Sequence, residues 1–529
     1  MGQPELGIPP QNVPKVRPES GRPSPRRARA AGRDPSTAIS GQRVLVVGLG
    51  RFGGGSGVTR WLVSQGARVT VTDQAPAESL VESIEGLGGL PLTLHLGGHD
   101  PADLQQCDLV IVNPGVVKSK SAFFQEIIRR GIPWTTEINL FCQRCPAPVI
   151  GVTGSFGKST TCAMLAEALQ ASLAAPVMIR GHTKRPMFTA VRLGGNIGYS
   201  LLMDLPDILI SDIVVLELSN AQLEDLPRIN WVPDVAVITN LWPHHLDRYS
   251  SFKEYVSAKL NILRTTCNRQ QAIGNRQQAT SSGLWDQLSS RSRPTQTLVV
   301  GDLDPQAEAM LEERLAARSL VLPAQPSPFE LVRVDPAACP TTLRIPGKHN
   351  QANAACVRTV CSTLGLAEDG VRATLAAFAG LPHRIQYVAT IEGVDYFNDS
   401  KSTSPAATQV AVESFDRPIV AIVGGQCQEV PLTILAEILV RSCQAVICTG
   451  ESGATLAEAV RGAAVPSRPV AHRVERLDDA VRMARHVARS GDVVLFSPGA
   501  PSFDRYTNFT QRGDHFVQLV QAMQNSRLV

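Results

Sequence analysis

Residues Gly151 to Thr161 read Gly-Val-Thr-Gly-Ser-Phe-Gly-Lys-Ser-Thr-Thr, and no other stretch narrows the possible folds of this chain as far. The apolar pair Val149-Ile150 precedes them, and the helical pattern Ala163-Met164-Leu165-Ala166-Glu167-Ala168-Leu169 follows. Strand, glycine turn and helix in that order converge backbone N–H groups on one point, with the positive end of the helix dipole behind them. Phosphate is the group such a point selects. Gly154, Ser155, Gly157 and Thr160 build the cradle. Lys158 is placed to reach the β- and γ-phosphates of ATP, and the Ser159 hydroxyl to meet Mg²⁺. The full Walker pattern has glycine where this chain has Val152, so the loop is the shorter Gly-x-x-Gly-Lys-Ser form.

A chain of 529 residues exceeds one hydrophobic core, so two to four domains are expected. The first forty residues are rich in proline and arginine and read as a disordered basic tail. There Lys15, Arg17, Arg22, Arg26, Arg27, Arg29 and Arg33 stand against Glu5, Glu19 and Asp34. That excess equals the net charge of +4 of the whole chain. The remainder is near neutral, which excludes an extended nucleic-acid groove. The tail has no apolar core of a secretory signal, and no apolar run is long enough to span a bilayer, so stable membrane insertion is not expected. Eleven scattered cysteines suit a reducing cytoplasm. Cys142 and Cys145 have zinc-ligand spacing but lack a second pair.

Three α/β segments follow the tail, expected at 41–145, 146–380 and 381–529. The first opens with the strand Val44-Leu45-Val46-Val47 and the turn Gly48-x-Gly50-x-x-Gly53, and its second strand ends on Asp73. Such a fingerprint serves NAD, a nucleotide attached to a substrate, or close packing of a helix. A further strand ends at Asn113-Pro114-Gly115-Val116, on the edge where ligands bind in such sheets. In the second segment, Ile213-Val214-Val215-Leu216 and Val235-Ala236-Val237-Ile238 indicate a parallel sheet covered on both faces. Between Asn268 and Pro340 the sequence turns Gln-, Ser- and Pro-rich, and no element is assigned. The third segment repeats the α/β alternation with strands at Ile419, Ala445 and Val493.

Several polar residues sit at the ends of these strands. Glu217 follows a buried run and can hold Mg²⁺, or it is a surface acid. His244 and His245 crowd the loop after Ile238, where a histidine is a metal ligand or a structural residue. Lys259 lies on an apolar helix and, taken alone, reads as a solvated lysine. Gly347-Lys348-His349-Asn350 reads as a helix start. Asn398-Asp399-Ser400-Lys401-Ser402-Thr403 packs an acid, a cation and hydroxyls after an apolar strand, as a phosphate or substrate clamp does, or as a polar turn does.

Together these motifs resemble the Mur ligase superfamily, from about Val44 to the C-terminus. Gly194-Gly195-Asn196-Ile197-Gly198, Leu216-Glu217-Leu218-Ser219 with Gln222-Leu223, and His245-Leu246-Asp247-Arg248 look like its central motifs. His383-Arg384, Asn398 to Lys401, and Ser497 through Gly513 look like its C-terminal ones. The resemblance is strongest to the members that add D-glutamate to UDP-N-acetylmuramoyl-L-alanine. It implies a Rossmann-like UDP-binding domain, a P-loop ATPase domain with a parallel sheet, and a mobile Rossmann-like domain admitting the amino acid. It further implies an ATP-dependent amide ligase of cytoplasmic peptidoglycan synthesis, monomeric, working through an acyl phosphate with Mg²⁺.

Carried over by position, Lys158, His245, Lys259, Asp399 and Lys401 are implied in catalysis, with Ser159, Glu217, His245 and Lys259 serving metal. Lys259 matches a lysine that family members carbamylate. Asn350, Asn353, Arg384 and Asp399 are implied at the nucleotide. Gly50, Arg51, Phe52, Asp73, Asn113, Gly115 and Asn196 are implied at the UDP-sugar, and Thr403, Ser502 and Phe509 near the amino acid.

The chain also departs from the family pattern. Phe156 replaces an asparagine, Ala75 an arginine, and Gly424-Gly425-Gln426-Cys427-Gln428 lacks the expected acid and lysine. Gly274-Asn275-Arg276-Gln277 replaces an acidic turn, and Ser402 and Ser404 replace alanine and asparagine. These changes bear on which amino acid is joined. The alternatives are a similar ligase with another amino acid or precursor, and a nucleotide-binding homologue without catalysis.

Overall fold

The computed structural model describes residues 39–525 apart from 51–53, 175–176, 180–181, 185–187, 198–199, 244–247, 264–295, 322–328, 336–340, 428–431 and 464–468. The basic tail, Arg51, Phe52, His245, the turn at Gly274 and Gln428 therefore lie outside the described residues.

Valine- and isoleucine-rich runs, buried on both faces, build three α/β sheets. In the first, the spatial order is Leu92–Leu96, Arg68–Asp73, Arg43–Val47, Leu109–Val112 and Trp134–Thr135, all parallel. Apolar residues alternate sides along its central strands. Val44 and Val46 join a core with Trp61 and Leu62, while Leu45 and Val47 join one with Phe124 and Ile127. Parallel strands need such double cover because their crossovers lay helices on both faces.

The second sheet runs Phe329–Arg333, Gln296–Leu303, Val235–Leu241, Val149–Thr153, Ile213–Glu217 and Val191–Gly195, again all parallel. Its two outermost strands on one side come from the stretch left unassigned above. The strand Gln296–Leu303, the helix Pro305–Val321 and the strand Phe329–Arg333 form one more β–α–β unit. The polar composition around them hid a short buried run, Leu298 to Val300, in which no residue is exposed.

The third sheet runs Gln386–Ile391, Val394–Asn398, Val493–Phe496, Ile419–Val423, Ala445–Cys448 and Val470–Arg473. Its first two strands form an antiparallel hairpin and the rest are parallel. No helix among the described residues is long and apolar enough to cross a membrane.

Candidate active site

The strand Val149–Thr153 lies mid-sheet and hands directly to the glycine loop and the helix Lys158–Ala174. Two glycines are required there. Gly154 has φ +153°, and a Cβ on it would meet Thr239 Oγ1 at 2.0 Å. Gly157 has φ +77°, a left-handed conformation, and a Cβ on it would meet Asn353 Oδ1 at 2.1 Å. The neighbouring strand end holds the loop from below. Asn240 Oδ1 accepts from Phe156 N at 2.9 Å, and Thr239 Oγ1 donates to Phe156 O at 2.7 Å. Both contacts are to the backbone, so the loop keeps its path with phenylalanine at this position, and the ring is 52% exposed. Ser155 is tied down too, taking hydrogen bonds from Tyr255 Oη and Trp242 N, both at 2.9 Å.

Lys158 folds back over this loop, donating to Gly154 O at 2.9 Å and Ser155 O at 3.1 Å. Burial lowers its pKa, Glu217 opposes that, and the Arg384 charge adds to the lowering. Ser159 and Thr160 occupy the first turn of the helix, where a hydroxyl can join an anion or its cation.

Glu217 ends the adjacent strand and is only 1% exposed, so the reading as a surface acid is wrong. The parallel register that pairs it with Val152 draws it inward beside the loop. Its Oε1 accepts from Asn196 Nδ2 at 2.8 Å. Its Oε2 is buried with no hydrogen-bond partner among the described residues. An enclosed carboxylate oxygen is costly unless a cation or donor meets it, so Glu217 fits Mg²⁺.

Lys259 is likewise 1% exposed and not a solvated lysine. The helix Phe252–Lys259 packs it under the sheet, with Nζ 3.4 Å from Thr153 Oγ1 and 5.0 Å from the Tyr255 ring centre. Burial pushes its pKa well down, Lys158 reinforces this, and Glu217 opposes it. The shift favours the neutral amine, the form in which a lysine is a nucleophile. Tyr255 went unrecognised in the sequence. Its position four residues before Lys259 on one helix face was the available signal.

The third domain faces this cluster. His383 and Ile385 both have left-handed φ, at 62° and 43°, and Arg384 lies between them in the turn that precedes the strand Gln386–Ile391. Non-glycine residues hold such angles only when their surroundings fix them. Here Asn398 Nδ2 meets His383 Nδ1 at 3.0 Å, and Lys401 N donates to His383 O at 3.0 Å. Asp399 is buried and accepts from Ser402 Oγ at 2.5 Å, Ser497 Oγ at 2.7 Å and Ile385 N at 3.1 Å. Burial still raises its pKa to about 6, against those three hydrogen bonds.

Asn353 and Asn350 lie on the helix Lys348–Thr363, joined by a 3.3 Å bond from Asn353 Nδ2 to Asn350 Oδ1. Lys401 Nζ stands 5.6 Å from the Phe509 ring centre. Ser502 is buried in the same segment and Thr403 is half-buried. Arg512, given no role from sequence, holds this wall together. It donates to Ser400 O, Ala500 O and Pro501 O at 2.9, 3.0 and 3.1 Å.

In the first domain, Asp73 uses both oxygens on backbone amides, taking Gly50 N of the adjacent glycine turn at 3.0 Å and Ala75 N of its own loop at 2.8 Å. Asn113 donates to Gly48 O at 3.1 Å and accepts from Gly115 N at 2.9 Å. These residues shape the loops directly, leaving backbone groups to face a ligand. Asn196 sits apart from them, on Glu217. Among the described residues no group of three His, Cys, Asp or Glu side chains forms a metal cluster, and Cys142 is an ordinary buried thiol.

Each of the three domains also matches a known family. Residues 42–135 match the Mur ligase MurD-like N-terminal domain, 152–361 the Mur ligase middle domain, and 383–499 the Mur ligase glutamate ligase domain. The chain is 35% identical over 503 residues to the UDP-N-acetylmuramoylalanine–D-glutamate ligase of Symbiobacterium thermophilum, covering 91% of this chain and 98% of that one. It is 33% identical over 505 residues to the enzyme of the same name from Roseiflexus, covering 92% and 99%. The solved structure of the UDP-N-acetylmuramate-alanine ligase MurC from Thermotoga maritima aligns with 91% of this chain and 100% of its own, at 18% identity and a TM-score of 0.48. Three matched domains in order and relatives spanning nearly their whole length decide the assignment: this chain belongs to the Mur ligase family.

Proposed function

We propose that this protein is an ATP- and Mg²⁺-dependent ligase that joins D-glutamate to UDP-N-acetylmuramoyl-L-alanine in peptidoglycan precursor synthesis. The observation that carries the reading is the pair of buried side chains Glu217 and Lys259 beside the half-buried Lys158 of the phosphate loop, with one Glu217 oxygen lacking a partner among the described residues. The relatives bearing the ligase name give the substrates.

A carboxylate is a poor electrophile until one of its oxygens becomes a good leaving group, and a phosphoryl group from ATP makes it one. The free amine of D-glutamate then attacks, and phosphate leaves as the amide forms. Charge neutralisation and positioning supply most of the catalysis of such a step. Gly154, Ser155, Gly157, Thr160 and Lys158 hold the phosphates, with Asn350, Asn353, Arg384 and Asp399 around the rest of the nucleotide. Ser159, Glu217 and His245 would hold Mg²⁺, which would screen the phosphate charges. Lys259, as a neutral amine, captures CO₂ and releases a proton, turning a buried base into a carbamate anion. Lys401, Thr403, Ser502 and Phe509 receive the amino acid. Gly50, Arg51, Phe52, Asp73, Asn113 and Gly115 form the UDP-sugar side, which Asn196 would meet from its place on Glu217. The working unit is a cytoplasmic monomer with domain boundaries near 145 and 380.

Phosphate release from ATP, measured with UDP-N-acetylmuramoyl-L-alanine across a panel of D- and L-amino acids, tests the proposal. Release that requires D-glutamate and yields the matching amide is expected. Release with another amino acid overturns the substrate, and no release from a protein that binds ATP overturns the ligase.

A further inference from the structure

A set of charged residues outside the site described above ties the first domain to the second. Glu224 lies just past the short helix Asn220–Leu223 and faces three elements at once. Arg248 sits 3.5 Å from Glu224 Oε2 and donates to Pro114 O at 3.2 Å, in the turn that contains Asn113 and Gly115. Lys118, on the same first-domain segment, is 3.8 Å from Glu224 Oε2 and 2.7 Å from Asp225 Oδ2. On the other side, Tyr249 Oη donates to Glu224 Oε1.

The contacts continue inward. Asn220 Nδ2 meets Tyr249 Oη at 2.5 Å, and the Tyr249 ring packs edge-on against Tyr255 at 5.6 Å. Tyr255 Oη donates to Ser155 Oγ at 2.9 Å in the phosphate loop, and its ring is 5.0 Å from Lys259 Nζ. One carboxylate thus stands between the loop expected to carry the UDP-sugar and the loop expected to carry the phosphates.

We propose that Glu224 is a positioning residue that sets the first-domain loop 113–118 in register with the phosphate loop, acting through Arg248 and Lys118 on one side and Tyr249 on the other. The inference rests on the ligase reading above. Its physical basis is that the two reacting groups arrive on different domains, so a misplacement of about 1 Å between the loops lowers the rate strongly. The Pro114 carbonyl belongs to a turn already fixed at Asn113, so pulling on it moves the turn as a unit. An interface residue serving stability alone would leave substrate affinity unchanged when lost.

The test compares wild type, Glu224→Gln, Arg248→Met and the double variant. Calorimetry reads the affinity of each for UDP-N-acetylmuramoyl-L-alanine and for ATP, and steady-state assays read kcat and KM. Each single variant is expected to weaken precursor binding about 10-fold, the effect of one lost charge-assisted contact. ATP affinity should stay within about twofold, and the double variant should fall well short of the product of the two single effects, because both singles lose the shared Arg248–Glu224 contact. Precursor affinity within about twofold of wild type in Glu224→Gln, or effects that multiply in the double variant, overturns the proposal. Should Glu224→Gln fold poorly, Arg248→Met carries the same test from the other partner. A wild type that binds the precursor but makes no amide removes the ligase reading and leaves Glu224 judged on affinity. One that binds no precursor overturns both.

Discussion

Replacing Gly157 with alanine tests the phosphate loop at its tightest point. The left-handed backbone, φ +77°, costs an L-residue about 1–2 kcal/mol. The new Cβ would also lie 2.1 Å from Asn353 Oδ1, far inside contact distance. Asn353 must therefore move, and its 3.3 Å bond to Asn350 is lost, which adds about 1 kcal/mol. The expected loss of stability is about 2–3 kcal/mol. For a domain of this size that is a fall in Tm of about 5–10 °C. Nucleotide affinity should fall at least about 10-fold, because backbone amides and Asn353 shift together. Thermal unfolding and nucleotide titration of Gly157→Ala, Asn353→Ala and the double variant separate the two causes. Asn353→Ala already forfeits the hydrogen bond and removes the clash, so the double variant should melt no lower than Gly157→Ala alone. A Tm for Gly157→Ala within about 1 °C of wild type, or a double variant that falls by the sum of both singles, refutes the reasoning.

Asp399→Asn should separate stability from activity. The folded carboxyl titrates near 6, above the unfolded value of about 3.9, so the folded state holds its proton more tightly. Stability contributed by the protonated acid is full below about pH 4 and is lost as pH rises through about 6. The asparagine variant should therefore be up to about 3 kcal/mol more stable at pH 8, converge with wild type below about pH 4, and make no amide. A wild type more stable than the variant at pH 8 would contradict this. Lys259→Met, a match in volume without charge, should retain or gain thermal stability while ligation disappears. Its gain should grow as pH falls, because wild-type Lys259 holds its proton less tightly when folded, and a variant that melts lower throughout tells against a strained lysine. For Glu217→Gln, the Mg²⁺ needed for half-maximal activity should rise at least about 10-fold at unchanged Tm, and an unaltered Mg²⁺ curve removes Glu217 from the metal site.

Glycine spacing made the two nucleotide-type turns legible, because a left-handed or sterically closed backbone position admits little else. Gly48 and Gly157 both have positive φ and both back onto an asparagine, Asn113 and Asn353. Parallel strands were legible as unbroken valine and isoleucine runs, except between Asn268 and Pro340. There the buried signal of Leu298 to Val300 is short and polar residues surround it. Burial of single ionisable residues was not legible. Lys259 has the neighbours of any amphipathic helix, and only the fold shows Thr153 and Tyr255 closing over its amine. Glu217 was placed at the correct strand end, yet its enclosure depends on Asn196, which approaches from the neighbouring strand. The link through Glu224 joins positions 114, 118, 224 and 248, and no local pattern connects residues so far apart.

These buried charges form a system that is poor in isolation. Lys158 and Lys259 repel one another, Glu217 serves as a counter-charge to both, and one of its oxygens has no donor among the described residues. The arrangement persists because the strands that carry it are wholly buried and resist rearrangement. Val152, Thr153, Val215 and Leu216 are each at most 1% exposed. In the proposed ligase a bound polyphosphate would add negative charge beside the lysines, and an accompanying cation would satisfy the Glu217 oxygen that lacks a donor. Each ligand therefore relieves a cost the folded chain already carries, and the relief is greatest when both arrive together. The third domain adds a further cation, Arg384, to this edge. The Arg384 charge adds to the lowering of the Lys158 pKa, so an anion bound between them would meet two cations.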